Sequence, residues 1–257
     1  MKFHQYVKGL AGLFVLALIA GGCQEEDEPP QFEELSFNKQ EVLDKLPDGL
    51  KNSNDQYAQS CLSYIESALD MSSFMGNMVP PGDAQKNMKK STMNGDTWTW
   101  TWSFEGESFT FYWTYDEDSN KRYWSMDIQY GGGPRYDYID AWEMKDGSQG
   151  EVIYNYNWVC LYSGESQEEC TDLFWRYTWS TDESGTCHFD WYYDAADPAC
   201  DYFLHSEIQV NPDGSGSIDY YSMDMLLYHM EWDAQGNGSW EYYLDGSVVM
   251  SGTWTAG

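Results

Sequence analysis

Thr97-Trp98-Thr99-Trp100-Thr101-Trp102-Ser103-Phe104 alternates large aromatic and small hydroxyl side chains along its whole length. A β-strand sends successive side chains to opposite faces, so this run reads as a strand with one buried, aromatic face. Phe109, Phe111, Trp113 and Tyr115 repeat the pattern directly afterwards. From Asp96 to the end of the chain there are about twelve such runs in all, at the spacing of an antiparallel all-β chain. Turn chemistry separates them: Glu105-Gly106-Glu107-Ser108, Gly131-Gly132-Gly133-Pro134, Asp146-Gly147, Asp182 to Gly185, Pro212-Asp213-Gly214, Gln235-Gly236-Asn237-Gly238 and Asp245-Gly246. Short turns imply a meander in which each strand pairs with the next.

Facing aromatics suggest registers. With 104 opposite 109, Trp100 meets Trp113 and Trp98 meets Tyr115. With 158 opposite 173, Tyr154 meets Tyr177 and Val152 meets Trp179. A one-residue slip would put these side chains on opposite faces. Twelve strands at ~4.8 Å make a sheet on the order of 58 Å wide, whereas one helix covers about 10–12 Å. The expected fold is therefore mainly β: an antiparallel up-and-down meander curled into a barrel or half-barrel, with an N-terminal helix packed on or in it. Trp100, Trp113 and Trp175 are expected on its buried, concave side.

Residues 31–94 contain no Trp, and all 13 follow. The chain divides into 1–22, 23–37, a helical segment and loop over 38–94, and the β-meander over 95–257. Tyr57, Cys61, Leu62, Tyr64, Ile65 and Leu69 recur at helical steps after Ser53 or Asp55, either of which can cap a helix within about 54–75. Residues 39–46 read as a short helix stopped before Pro47. Residues 82–94 read as a loop carrying Lys86, Lys89 and Lys90.

The balance of 13 Lys+Arg against 43 Asp+Glu gives a net charge of -30. That excludes nucleic acid, which needs basic side chains against its phosphates, and disfavours anionic lipid surfaces. With 13 Trp and 21 Tyr, the chain is not a disordered acidic polymer.

Residues 1–22 combine Lys2 and Lys8, an apolar run from Leu10 to Ala20, and small residues before Cys23. This is the pattern of a secretory signal, too short for a permanent membrane span. Ile19-Ala20-Gly21-Gly22-Cys23 resembles the lipobox of bacterial lipoproteins. The resemblance implies cleavage before Cys23 and diacylglyceryl and palmitate groups on it. Gln24-Glu25-Glu26-Asp27-Glu28-Pro29-Pro30 is a charged, stiff tether. It resembles the acidic export signal of Bacteroidota lipoproteins, which implies an outer-membrane protein displayed at the cell surface, the periplasmic face being the alternative. A helix followed by a curved meander resembles the Lol-type lipoprotein carriers in architecture alone. Gly238, Trp240, Tyr243, Gly246, Gly252 and Trp254 resemble a MORN-variant repeat, read here as hairpin geometry. A membrane-spanning barrel is disfavoured, since the chain closes on Trp254-Thr255-Ala256-Gly257 and the lipobox offers another route to the membrane.

Four groups of residues have candidate chemistry. Trp98, Trp100, Trp102, Trp113 and Trp175, with Trp191, can pack a core, line an apolar cavity or stack on sugars. If 188 pairs with 205, then His188, Asp190, His205 and Glu207 share one face and form a candidate metal patch, with His229 outside it. Asp116-Glu117-Asp118-Ser119-Asn120 places oxygens as a calcium loop does, but Lys121 replaces the needed glycine, so it reads as a charged hairpin tip. Of the cysteines, Cys160 and Cys170 bracket an acidic loop and suit a disulfide, and a Cys61–Cys187 bridge is open. Cys187–Cys200 is too long in the same register. No nucleophile, phosphate-loop or spaced zinc motif appears.

These readings describe a lipid-anchored extracytoplasmic β-domain, a non-catalytic binding or structural module. It requires no cofactor, a metal ion being a candidate only. The alternative is a carrier of an acyl chain or other apolar ligand inside the curved sheet, and a carboxylate hydrolase ranks last. Partners are the membrane through the anchor and a glycan, peptide or apolar ligand.

Overall fold

Asp55 starts the long helix: its Oδ1 accepts the backbone N–H of Tyr57 at 2.8 Å and of Ala58 at 3.4 Å. Those donors have no partner inside a helix, so the carboxylate sets the boundary. Helix α3 runs from Gln56 to Phe74 and follows two short helices, α1 (Lys39–Lys45) and α2 (Asp48–Lys51). The computed structural model describes residues 39–74, 89–91, 97–104, 107–155, 173–197 and 200–256. The signal segment, Cys23 and its tether, Lys86, and the Cys160–Cys170 pair lie outside the described residues.

The rest of the chain forms one antiparallel sheet whose spatial order is its sequence order. The strands are β1 (Lys89–Ser91), β2 (Thr97–Phe104), β3 (Glu107–Glu117), β4 (Lys121–Tyr130), β5 (Arg135–Met144), β6 (Gln149–Asn155) and β7 (Leu173–Thr181). They continue with β8 (Cys187–Asp197), β9 (Cys200–Val210), β10 (Gly216–Ser222), β11 (Met225–Trp232), β12 (Gly238–Leu244) and β13 (Ser247–Trp254). The sheet is curled but not closed, with β1 and β13 as its edges. β1 falls in the segment expected to be a loop, where Lys89 and Lys90 pair with Thr99 and Trp98.

The concave side is occupied. Ala58, Cys61, Ile65 and Leu69 on α3 join Trp98, Trp113, Phe189, Ile218 and Met230 from the strands in one core. Each of the buried Ile, Leu, Phe and Met side chains among them contributes about 1.5–3 kcal/mol. Tyr57 stacks on Trp240, with ring centroids 4.4 Å apart. At the end where β9 turns into β10 and β11 into β12, α1 and α2 meet the turns. Lys45 Nζ donates to the Gly185 carbonyl, and a Cβ on Gly214 would lie 2.3 Å from the Lys45 carbonyl.

Three registers differ from the expected ones, each by an even number of residues. Trp98 pairs with Trp113 and Trp100 with Phe111, because the hairpin closes at Phe104 opposite Glu107, two residues sooner. A two-residue connection matches the twist of the strands it joins. Val152 pairs with Tyr177, and Trp179 lies opposite Gly150 rather than Val152. The indole needs that glycine: a Cβ there would sit 2.0 Å from Trp179 Cζ2. His188 pairs with Gln209 rather than His205, because β8 runs on to Asp197 opposite Cys200. That register sets Phe189 against Ile208, both buried. Even displacements keep every side chain on its expected face.

The Trp179–Gly150 arrangement recurs. Trp232 lies over Gly216 and Trp254 over Gly238. In all three the indole Nε1 donates to the carbonyl of the preceding turn glycine: Gly147 at 3.2 Å, Gly214 at 2.7 Å and Gly236 at 2.8 Å. An aspartate organises each of these turns. Asp233 Oδ1, for example, accepts the N–H groups of Gln235 and Asn237.

Cys61 and Cys187 are both free buried thiols, so the bridge between them is not formed. Burial pushes the Cys61 thiol up to about 12. Cys187 instead accepts a hydrogen bond from Lys45 Nζ at 3.1 Å. Cys187 and Cys200 lie opposite Val210 and Asp197, ten residues apart along β8, about 33 Å at the strand rise.

Candidate functional site

The outer face of the same strands carries polar side chains in rows. One row crosses five strands through direct pairs: Thr178 opposite Asp190, Asp190 opposite Glu207, Glu207 opposite Asp219, and Asp219 opposite His229. Three carboxylates therefore stand side by side on β8, β9 and β10. Like charges directly opposite one another destabilise a sheet. Thr178 Oγ1 donates to Asp190 Oδ2 at 3.3 Å, and His229 Nδ1 lies 2.7 Å from Asp219 Oδ1.

The adjacent row is aromatic. Arg176 lies opposite Tyr192, Tyr192 opposite His205 and His205 opposite Tyr221. The Arg176 guanidinium sits over the Tyr192 ring at 4.2 Å. Tyr192 stacks on His205 at 3.9 Å and 13°, and His205 on Tyr221 at 5.3 Å and 20°. The imidazole is thereby fixed between two phenol rings.

The two rows meet at Asp190, His205 and Glu207. One ligand atom from each lies within 4.8 Å of the others. His205 Nε2 is 3.5 Å from Glu207 Oε1, and the His205 side chain is only 12% exposed. Desolvation holds the imidazole below its ordinary value, against the opposing pull of Glu207 and Asp190. Burial thus favours the neutral form of the imidazole.

His188 does not join this group. It lies on the same face but one row further along, with Nε2 3.7 Å from Asp182 Oδ2. His229 does approach it, contrary to the expected register, through Asp219. Tyr192, Tyr221, Arg176 and Asp219 were missed by sequence reasoning. The period-two pattern of β8 to β10 puts them on this face, but only the true register makes them neighbours.

The expected aromatic site separates into two kinds of residue. Trp98 and Trp113 are 3% exposed and belong to the core. Trp100 and Trp175, expected to be buried like Trp113, are half-buried. Trp100 stacks on Phe111 at 5.2 Å, and Trp175 meets Trp191 and Tyr193 edge-on. They lie on the same face as the core, and Trp175 packs against its margin. Trp102 lies on β2 opposite Phe109. The Asp116–Asn120 loop is a hairpin tip: Asp118 Oδ1 accepts the N–H groups of Asn120 and Lys121, each at 2.7 Å.

Two hollows adjoin on the outer face. One, of about 260 Å³, is lined by Ser180, His188, Asp190, Glu207 and Asp219 among others. The second, of about 650 Å³, is lined chiefly by polar residues, including Asn211, Ser215, Glu231, Asn237 and Ser239. Gln209 and Ser217 line both, so the hollows lie side by side and together make up the outer-face groove. No family model, curated protein or solved structure matches this chain. Among the described residues, no helix is long and apolar enough to cross a membrane.

Proposed function

We propose that the protein is a lipid-anchored, surface-displayed binding module without catalysis of its own, and that it holds a hydroxyl-rich ligand, a glycan, in the outer-face groove over β8 to β13. The observation that carries this reading is the lining of the groove. Gln209, Asn211, Ser217, Asn237 and Ser239 offer amide and hydroxyl groups, and Glu231 and Asp233 offer carboxylates. Such groups exchange hydrogen bonds with sugar hydroxyls and fix orientation. Tyr192 and Tyr221 add partly exposed rings at one end. The anchor reading rests on Cys23 and the small residues before it.

A carrier role draws on the half-buried Trp100 and Trp175. It is the weaker reading, because α3 lies along the concave side that an acyl chain would need.

Two measurements test the proposal. Cys23→Ala should release the chain from membranes; retention after a high-salt wash refutes the anchor. Ser217→Trp fills the point where the two hollows meet. Isothermal titration with a panel of soluble oligosaccharides should give saturable binding that this variant abolishes without lowering the melting temperature. No binding across the panel, or binding that Ser217→Trp leaves intact, refutes the groove. Saturable uptake of a fatty acid would favour the carrier.

A further inference from the structure

We propose that Asp190, His205 and Glu207 form a binding site for a divalent transition-metal cation of the zinc class. The inference goes beyond the glycan reading and stands whether or not the groove takes a sugar.

The donor set comes first. One imidazole nitrogen and two carboxylate oxygens converge from adjacent strands, within 4.8 Å of one another. An ion equidistant from three atoms at that spacing lies about 2.8 Å from each, so contraction by about 0.7 Å reaches ordinary zinc–ligand distances. Glu207, half exposed, has the freedom to make that movement. The imidazole selects against calcium and magnesium, which prefer all-oxygen shells.

Next is the charge. The row Asp190, Glu207 and Asp219 stacks three carboxylates on adjacent strands. Among the groups whose charge acts on His205, Arg176 is the positive one, while Glu207, Asp190 and Asp224 are negative. Arg176 is turned onto the face of Tyr192. A divalent ion between Asp190 and Glu207 would neutralise the two charges that oppose each other across β8 and β9.

Support around the ligands is the third argument. Metal sites hold their ligands through outer hydrogen bonds and packing. Here Thr178 Oγ1 donates to Asp190 Oδ2. Tyr192 and Tyr221 clamp the His205 ring from both sides. Asp190 and Glu207 also line the smaller hollow, so a fourth coordination position would open toward the groove. Three protein ligands with one open position is the pattern of sites that bind a further molecule.

The test uses the full chain, stripped with a chelator and dialysed. Zinc is titrated by calorimetry, and cobalt by visible absorption as a spectroscopic substitute. The expected result is saturable binding of one ion per chain, with cobalt bands of a low-coordinate site. Asp190→Asn and Glu207→Gln keep side-chain shape, and each should weaken binding by about 100-fold or more. The metal-free variants should keep the wild-type near-ultraviolet circular dichroism, which separates lost binding from lost folding. His188→Gln, one row away, should leave the affinity unchanged. Absence of saturable binding by the wild-type chain overturns the proposal. So does an affinity that survives Asp190→Asn and Glu207→Gln, because the ion would then sit elsewhere on the acidic surface. Neither result bears on oligosaccharide binding, so this site and the glycan groove stand or fall separately.

Discussion

The inner and outer faces of β8 to β11 are built on the same backbone, yet their side chains are satisfied to different degrees. Inside, Phe189, Ile208, Ile218 and Met230 line up across the four strands and are all at most 4% exposed. Helix α3 covers them, so that row needs no outside partner. The outer row one residue along reads Asp190, Glu207, Asp219 and His229. It sets like charges opposite one another and packs against no other element described here. The inner face is satisfied by packing, while the outer face keeps carboxylates opposite one another.

The largest effect should come from the inner face. Trp232 is 4% exposed, lies over Gly216 and donates to the Gly214 carbonyl. Trp232→Ala removes the ring and its hydrogen bond, and should cost about 3–5 kcal/mol in denaturant unfolding. Gly238→Ala adds one methyl group to the neighbouring clamp, 2.0 Å from Trp254 Cζ2 and 2.4 Å from the Glu231 carbonyl. It should cost about 1–3 kcal/mol, since one contact is with backbone and cannot move aside cheaply. Unchanged midpoints for both variants would mean that the indole–glycine contacts do not set the register.

The outer face should respond with the opposite sign. Glu207 stands between Asp190 and Asp219. Glu207→Gln removes the central charge and keeps the shape. In the presence of chelator the variant should be more stable than the wild type by about 0.2–1 kcal/mol, the range of cross-strand charge pairs. A loss of stability would break the comparison, since the row would then be balanced by neighbours such as His205.

Strand existence and facing from Thr97 onward were legible in the sequence because they follow from a period of two, which any single run displays; the three-residue β1 is too short to show one. Register was not legible to the same degree. A slip of two residues leaves alternation intact, so Trp98 opposite Trp113 and Trp98 opposite Tyr115 satisfy the same pattern. What separates them is loop length at 104–107 and the room that Gly150 offers Trp179, both properties of the packed sheet. The candidate site inherited this asymmetry. Asp190, His205 and Glu207 share a face in either register, but a four-residue displacement removes His188 and brings Tyr192 against His205. A positive φ at Met223 and Asp224 marks a tight turn that no glycine announced.

The smallest expected effect concerns acid, and it separates the turn ends from both faces. Asp213 and Asp233 are held below the usual carboxylate range, chiefly by the side chains of Ser215 and Asn237 respectively, with backbone N–H groups helping. A carboxylate whose folded value is depressed contributes stability above its unfolded value, and that contribution is lost as pH falls through the folded one. The window therefore lies below about pH 4, the unperturbed aspartate range. Asp127 and Asp140 behave oppositely: desolvation raises both on the outer face of β4 and β5. Their charge is a cost at neutral pH that disappears as pH falls through the raised values. Acidification should thus loosen the β9–β10 and β11–β12 turns while relieving β4 and β5. Amide exchange, corrected for intrinsic rates, reads this directly. Protection of the Ser215 and Asn237 amides, which donate to Asp213 Oδ1 and Asp233 Oδ1, should decline below about pH 4 while that of the Ile218 and Met230 amides persists. Of these four amides, Asn237 alone should lose its pH dependence in Asp233→Asn. If all four amides lose protection together, the turns are not independent of the core, and the division between a satisfied inner face and its acid-sensitive margins fails.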